Sequence, residues 1–374
     1  MQSPSSSCRP VPLIIFYLLV LMSNFAEARR SLTGRIIPGP VTHNVSDVPA
    51  LFVFGDSTVD AGNNNFIKTI TKSNFPPYGR DFPNHIPTGR FTNGRLVTDF
   101  LAAYVGIKEY VPAYLDPTFG LDHQLKTGVC FASAGTGFDP LTAQLSGVIP
   151  IERQLGYFKE YKAKMEGKIG KERTTDMINK GLFVISAGTN DFILNYFGPP
   201  IRSQTYSIST YQDFLLQIAQ RLLQGLLEMG ARRIGFVGLP PVGCLPAVIT
   251  ANSLDAFTKR GCIERLSSVA RDYNRLLQSK LKKSTQSHGA KIVYIDIYNP
   301  IEDMVKNPQQ FGLEKVNKGC CGSGIIETAI LCNPYSVICS DESKYVFWDA
   351  VHPTEAAYFH IFQSVRPAID QIFI

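Results

Sequence analysis

A serine hydroxyl attacks a carbonyl efficiently only when a nearby base takes its proton, and that base works best when a carboxylate holds it in place. The sequence offers each of these parts. Ser57 closes the run Phe54-Gly55-Asp56-Ser57, where a short apolar segment delivers the hydroxyl through a glycine that permits a tight turn. In Trp348-Asp349-Ala350-Val351-His352-Pro353 a carboxylate stands three residues before an imidazole. On one turn of chain that spacing brings Asp349 within reach of His352 Nδ1, which leaves Nε2 free to take a proton from Ser57. Gly188-Thr189-Asn190-Asp191 follows a second apolar run, and Asn190 could aim an amide N–H at the same point. Ser57 is further expected beside the amino end of a following helix, where backbone N–H groups favour developing negative charge.

Each motif has an ordinary reading by itself. A Gly-Asp-Ser triplet is common in turns, and with six histidines in the chain one of them near an Asp is expected by chance. What raises the combination above chance is where the elements should place it. Leu51-Phe52-Val53-Phe54, Leu182-Phe183-Val184-Ile185, Ile234-Gly235-Phe236-Val237 and Ile292-Val293-Tyr294-Ile295 are runs with no polar side, suited to parallel strands covered on both faces. Between them lie helical stripes. Leu215, Ile218, Leu222, Leu226 and Met229 recur at spacings of three and four over Tyr211 to Met229, with Gly230 as a stop. Leu96, Phe100 and Tyr104 form a second row, and Ile263 through Leu281 a third. Alternating strands and helices imply one doubly wound α/β domain from residue 49 to 374, with ligand chemistry at the carboxyl ends of the strands.

Composition excludes several classes. With 44% hydrophobic and 18% charged residues the chain is an ordinary globular one, and its 30 Gly and 24 Pro show no triplet period. The net charge of +6 is spread without a dense basic block, which argues against nucleic acid and at most favours weak association with acidic cell-wall polysaccharide. Zinc-ligand spacing, a Gly-x-Ser-x-Gly elbow, His-Glu-x-x-His and a phosphate loop are all missing from the sequence.

The first residues read as an export signal. Arg9, the apolar run from Val11 to Met22 and Ala26-Glu27-Ala28 fit a leader over 1–28 that is removed, too short for a membrane anchor. A linker over 29–48 carries the glycosylation sequon Asn44-Val45-Ser46. Of eight cysteines, Cys8 falls in the leader. Cys320, Cys321, Cys332 and Cys339 cluster in a glycine-rich stretch that reads as a disulfide-stapled loop, as expected of a secreted, extracellular protein. Cys130, in the apolar run Val129-Cys130-Phe131-Ala132, is the candidate for a buried free thiol.

Five blocks in order carry a family resemblance. They are Phe52 through Asn65, Pro87 through Arg95, Ile185 through Asp191, Gly319-Cys320-Cys321-Gly322, and Asp349 through Thr354. With these the chain resembles the GDSL esterase/lipase family of the SGNH hydrolase superfamily, in its secreted plant branch. The resemblance implies a flavodoxin-like parallel sheet of about five strands with helices on both faces. It also implies Ser57 as nucleophile, His352 as general base and acid, and Asp349 as the residue that orients the imidazole. The oxyanion hole would comprise the backbone N–H groups of Ser57 and Gly94 and the side chain of Asn190. Thr58 stands where the family motif has Leu, a change expected to affect only local packing. The implied activity is hydrolysis of small-molecule or lipid carboxylic esters without a metal or organic cofactor. Acyl transfer to another alcohol, or a wall-binding protein without turnover, are the alternatives.

Overall fold

Runs that are apolar at every position make strands that need cover on both sides, and the four expected runs take that form. They are β1 (Leu51–Gly55), β2 (Leu182–Ser186), β3 (Arg233–Val237) and β4 (Lys291–Ile295). The computed structural model describes residues 48–118, 125–253 and 257–373, without the side chains of 286–288. The strands pair in parallel in the order β1-β2-β3-β4, with Phe52 opposite Phe183 and Ile234 opposite Ile292.

The expected fifth strand is present as a looser ladder. Residues 129–133 run along the free edge of β1, with Val53 N donating to Val129 O, Phe131 N to Val53 O and Ser133 N to Gly55 O. Its outer edge is occupied by other groups: the Asn63 amide donates to the carbonyls of Cys130 and Ala132, at 2.9 and 2.8 Å. Those bonds cap an edge that would otherwise expose backbone. Counting this segment, the chain order across the sheet is 2-1-3-4-5, the flavodoxin-like arrangement. Its crevice opens between β1 and β2, beyond their carboxyl ends.

Helices cover both faces. In chain order they are α1 (Val97–Tyr104), α2 (Pro140–Ser146), α3 (Ile151–Ile169), α4 (Lys171–Lys180), α5 (Thr189–Asn195), α6 (Ile208–Glu228), α7 (Pro246–Asn252), α8 (Glu264–His288), α9 (Tyr298–Lys306) and α10 (Glu355–Asp370). On one face Phe158 of α3 packs edge-on against Phe52 and Phe54, with ring centroids 5.3 and 5.8 Å away. On the other, α10 lies against β4 and α1, where Phe100 and Tyr104 meet Phe362. The stripe over 211–229 is α6, with Leu215, Ile218, Leu222 and Leu226 buried and the Ser207 hydroxyl capping Thr210 N. Leu96 and Ile263 stand just outside their helices, as the caps of α1 and α8, and α8 runs on past Leu281 to His288.

A second, two-stranded parallel sheet was not legible in the sequence: β5 (Lys315–Gly319) beside β6 (Tyr345–Phe347). The stapled loop between them holds Cys320–Cys339 and Cys321–Cys332, and a third disulfide joins Cys244 to Cys262. Cys130 is free and buried, its thiol donating to Val59 O and its pKa pushed up by burial. The leader over 1–28, nearly all of the linker and Asn44 lie outside the described residues. No described helix is long and apolar enough to cross a membrane.

Candidate active site

β1 ends in a glycine for a steric reason. Gly55 has φ of 138°, and a Cβ there would lie 1.8 Å from Ser186 O on β2. The Gln154 side chain of α3 brackets the same residue, accepting from Gly55 N and donating to Gly55 O, both at 2.9 Å. The chain then turns through Asp56–Val59, closed by Val59 N to Asp56 O, and this turn carries Ser57. The helix expected directly after Ser57 is not there: the next α-helix is α1, at Val97, because Asp60 and the asparagines beyond it stitch the chain down as a loop. Asp60 accepts from the N–H groups of Gly62, Asn63 and Ala134. The donors near Ser57 are therefore bare turn amides, not a helix dipole.

Thr58 does more than pack. Its N–H and hydroxyl both donate to Asp56 Oδ1, at 3.0 and 2.7 Å, and its hydroxyl lies 2.9 Å from Ser186 Oγ. A leucine could make neither side-chain bond. Burial raises the Asp56 carboxyl to about 6, against the pull of the Thr58 hydrogen bonds and the nearby His352.

His352 and Asp349 arrive from the opposite end of the chain, just beyond β6. Ser57 Oγ lies 2.8 Å from His352 Nε2, and His352 Nδ1 lies 2.9 and 2.8 Å from the two oxygens of Asp349. An ionised carboxylate only accepts, so Nδ1 carries the proton and Nε2 is left to accept from the serine hydroxyl. The Asp-x-x-His segment is an irregular bend, not a helical turn, and Asp349 Oδ1 also takes the N–H groups of Val351 and His352. Oδ2 accepts from the Tyr78 hydroxyl at 2.8 Å and from Thr328 at 3.2 Å. Asp349 is fully covered, whereas Ser57 keeps 6% of its surface exposed. The imidazole rests on Phe91, with ring centroids 5.0 Å apart.

Asn190 stands in the first turn of α5, one strand over from Ser57. One of its amide protons is engaged by Thr136 O at 2.8 Å, leaving the second. Asp191 beside it pins the neighbouring wall by accepting from Phe138 N, Asp139 N and Thr142 Oγ1. Gly94 is buried with the Glu355 carboxylate behind it, where a Cβ would come within 1.7 Å of Oε2. Glu355 is itself held by Arg95, and Thr92 donates to Pro353 O, so the segment around Gly94 is tied to the histidine loop. The N–H groups of Ser57 and Gly94 donate to nothing among the described residues. Tyr78, Thr328 and Gln154 went unread in the sequence, since nothing in their local pattern marks a side chain whose partner is remote in the chain.

Known proteins resemble this chain over most of its length. A GDSL-like lipase/acylhydrolase family model matches residues 51–365. The GDSL esterase/lipase At5g45960 of Arabidopsis thaliana is 54% identical over 333 residues, covering 88% of each chain. Another from the same plant, At1g06990, is 43% identical and covers 88% of this chain and 91% of its own. Among solved structures, a catalytic mutant of an acetylxylan esterase from Geobacillus stearothermophilus aligns over 86% of this chain and 94% of its own, with a TM-score of 0.37 and 12% identity. With a family model spanning most of its length and relatives this similar, the chain belongs to the GDSL-like lipase/acylhydrolase family.

Proposed function

We propose that this protein hydrolyses carboxylic esters in two acyl-transfer steps centred on Ser57. The observation that carries the reading is the 2.8 Å approach of Ser57 Oγ to His352 Nε2, continued to Asp349 on the far side of the ring. The hydroxyl oxygen attacks the ester carbonyl carbon as Nε2 takes its proton. The carbonyl oxygen becomes an alkoxide, which accepts from the N–H groups of Ser57 and Gly94 and the unengaged Asn190 amide proton. Collapse of this intermediate breaks the bond to the alcohol, which leaves with the proton from Nε2. Water then gives its proton to Nε2 and its oxygen to the acyl carbon, and Ser57 is released when the proton returns. Asp349 keeps the ring in the required tautomer throughout.

Ser57→Ala and His352→Ala should each lower kcat on a short-chain nitrophenyl ester by about 10⁴–10⁶ while circular dichroism stays native. A fluorophosphonate should label the wild type and not Ser57→Ala. Either variant turning over at the wild-type rate would refute the assignment. Asn190→Ala should raise the barrier by roughly 3–4 kcal/mol, read as lost kcat. Three disulfides support the further reading that the protein works outside the cell, in the apoplast or wall.

A further inference from the structure

The two faces of the sheet are filled differently. Toward α3 the strands present aromatic rings, with Phe52, Phe54 and Phe183 all in contact with Phe158. Toward α10 they present smaller side chains, among them Val184, Ser186, Gly235 and Val237. Between that face and α10 a narrow cavity of about 80 Å³ remains, walled almost wholly by apolar atoms. Ser57 and His352 do not line it, but their chain neighbours do. Thr58 follows Ser57, Thr189 precedes Asn190, and Val351 and Pro353 flank His352. From this end the lining continues down the strands to Leu182 and Ile372. Four residue steps along β2 separate Ser186 from Leu182, a depth of ~13 Å at about 3.3 Å per step.

The polar side chains in this wall are those of Thr58, Thr98, Ser186, Thr189 and Tyr358. Tyr358 of α10 is buried, and its hydroxyl has no hydrogen-bond partner among the described residues. It stands in the first turn of α10, close along the chain to Val351 and Pro353, which line the end of the cavity beside His352. The distribution is that of an ester: an oxygen-bearing head near Ser57 and a hydrocarbon tail below it. A tightly packed sheet–helix contact would leave neither the gap nor the orphan hydroxyl.

We infer that this cavity receives the acyl chain of the substrate and sets its length, an inference that rests on the proposed role of Ser57. The carbonyl carbon meets Ser57, and the chain passes beneath the histidine loop toward Gly235. The volume is roughly half that of the ~150 Å³ apolar cavity that accepts benzene, which suits a straight chain of about four carbons. The enzyme therefore acts on short, unbranched acyl esters.

Nitrophenyl esters from acetyl to decanoyl test this on the wild type and two variants. In the wild type kcat/KM rises about tenfold from acetyl to butanoyl, as expected for two more buried methylenes, and falls again at decanoyl. Gly235→Ala fills the cavity, since a Cβ there meets Ile295 and Ile372 at 3.3 and 3.5 Å. It should remove most of the butanoyl advantage while acetyl turnover holds within about twofold. Val365→Ala on α10 enlarges the cavity and should move the optimum to a longer chain; thermal melts confirm that each variant is folded. Three identical length profiles, with acetyl hydrolysis intact, would overturn the inference and leave the role of Ser57 standing. A wild type that neither cleaves any of these esters nor reacts with a fluorophosphonate would bring down both.

Discussion

Asp349 is held by more partners than orientation of one imidazole needs. Beyond the His352 ring it accepts from the backbone N–H groups of Val351 and His352, from Tyr78 and from Thr328. Tyr78 comes from a loop far away in sequence, is completely buried, and packs edge-on to Phe91, which in turn supports the His352 ring. A hydrogen bond to a charged group contributes about 1.5–3 kcal/mol, and loss of this one lets the carboxylate drift from the ring. Tyr78→Phe, which keeps the ring and deletes only the hydroxyl, should lower kcat about tenfold with KM little changed. Thr328→Val, which gives up a longer bond, should cost less; steady-state kinetics on one ester decide the order. At this scale the three acting groups were legible, because Gly-Asp-Ser after an apolar run and Asp-x-x-His are local patterns. Their supports were not, because a lone tyrosine or threonine carries no sign of a partner hundreds of residues away. Thr58 shows the same gap: it was expected only to pack, and it turns out to tie the nucleophile turn to β2.

At the scale of elements, four strands and the main helices could be read from apolar runs and stripes, since each signal lies within one segment. The ladder at 129–133 and the pair β5–β6 could not, because their pairing depends on contacts that no local pattern encodes. The stapled loop is the instructive case. Its cysteine cluster was legible, but not what it supports. Cys320 N and Cys321 N donate to the carbonyls of Phe347 and Trp348, and Ala350 N donates to Glu327 O, so the loop clamps both sides of Asp349. Glu327 then organises its own turn by accepting from the N–H groups of Ser323 and Gly324. Cys321–Cys332 closes this turn across a separation of 11 residues, worth about 3 kcal/mol by loop entropy. Replacing both cysteines by serine should lower the thermal midpoint and, because Thr328 lies inside the loop, lower kcat as well. Replacing Cys244 and Cys262 in the same way should affect stability with a smaller change in kcat, as that bridge lies outside the stapled loop around Asp349. Equal kcat in the two double variants would show that the loop only staples and does not position Asp349.

For the molecule as a whole, the packing that keeps the site dry also buries carboxyls without cationic partners of their own, and this fixes how stability must vary with pH. Burial raises Asp56 and Asp60 to about 6 and Asp191 to about 7, although each accepts several hydrogen bonds that pull the other way. In the unfolded chain these groups titrate near the ordinary aspartate value of about 3.9. Between that value and 6 to 7 the folded protein holds protons that the unfolded chain has released, so folding is favoured by acid. The contribution is complete below about pH 4 and is lost as pH rises through 6 and 7. Glu327 sets the opposite limit. Burial pushes it up, but the Ser323 hydroxyl and the N–H groups around it outweigh that and bring it down to about 2. Its contribution is present above the ordinary glutamate value and disappears as pH falls through about 2. Together they make stability greatest between about pH 3 and 4, with a decline toward neutrality to which these three carboxyls contribute. Thermal melts from pH 2 to 8 at constant ionic strength should show the midpoint highest between about pH 3 and 4 and several degrees lower at pH 8. A midpoint that climbs steadily from pH 5 to 8 would mean that the hydrogen bonds to these carboxylates outweigh their burial, and that the interior around Ser57 is wetter than its packing implies.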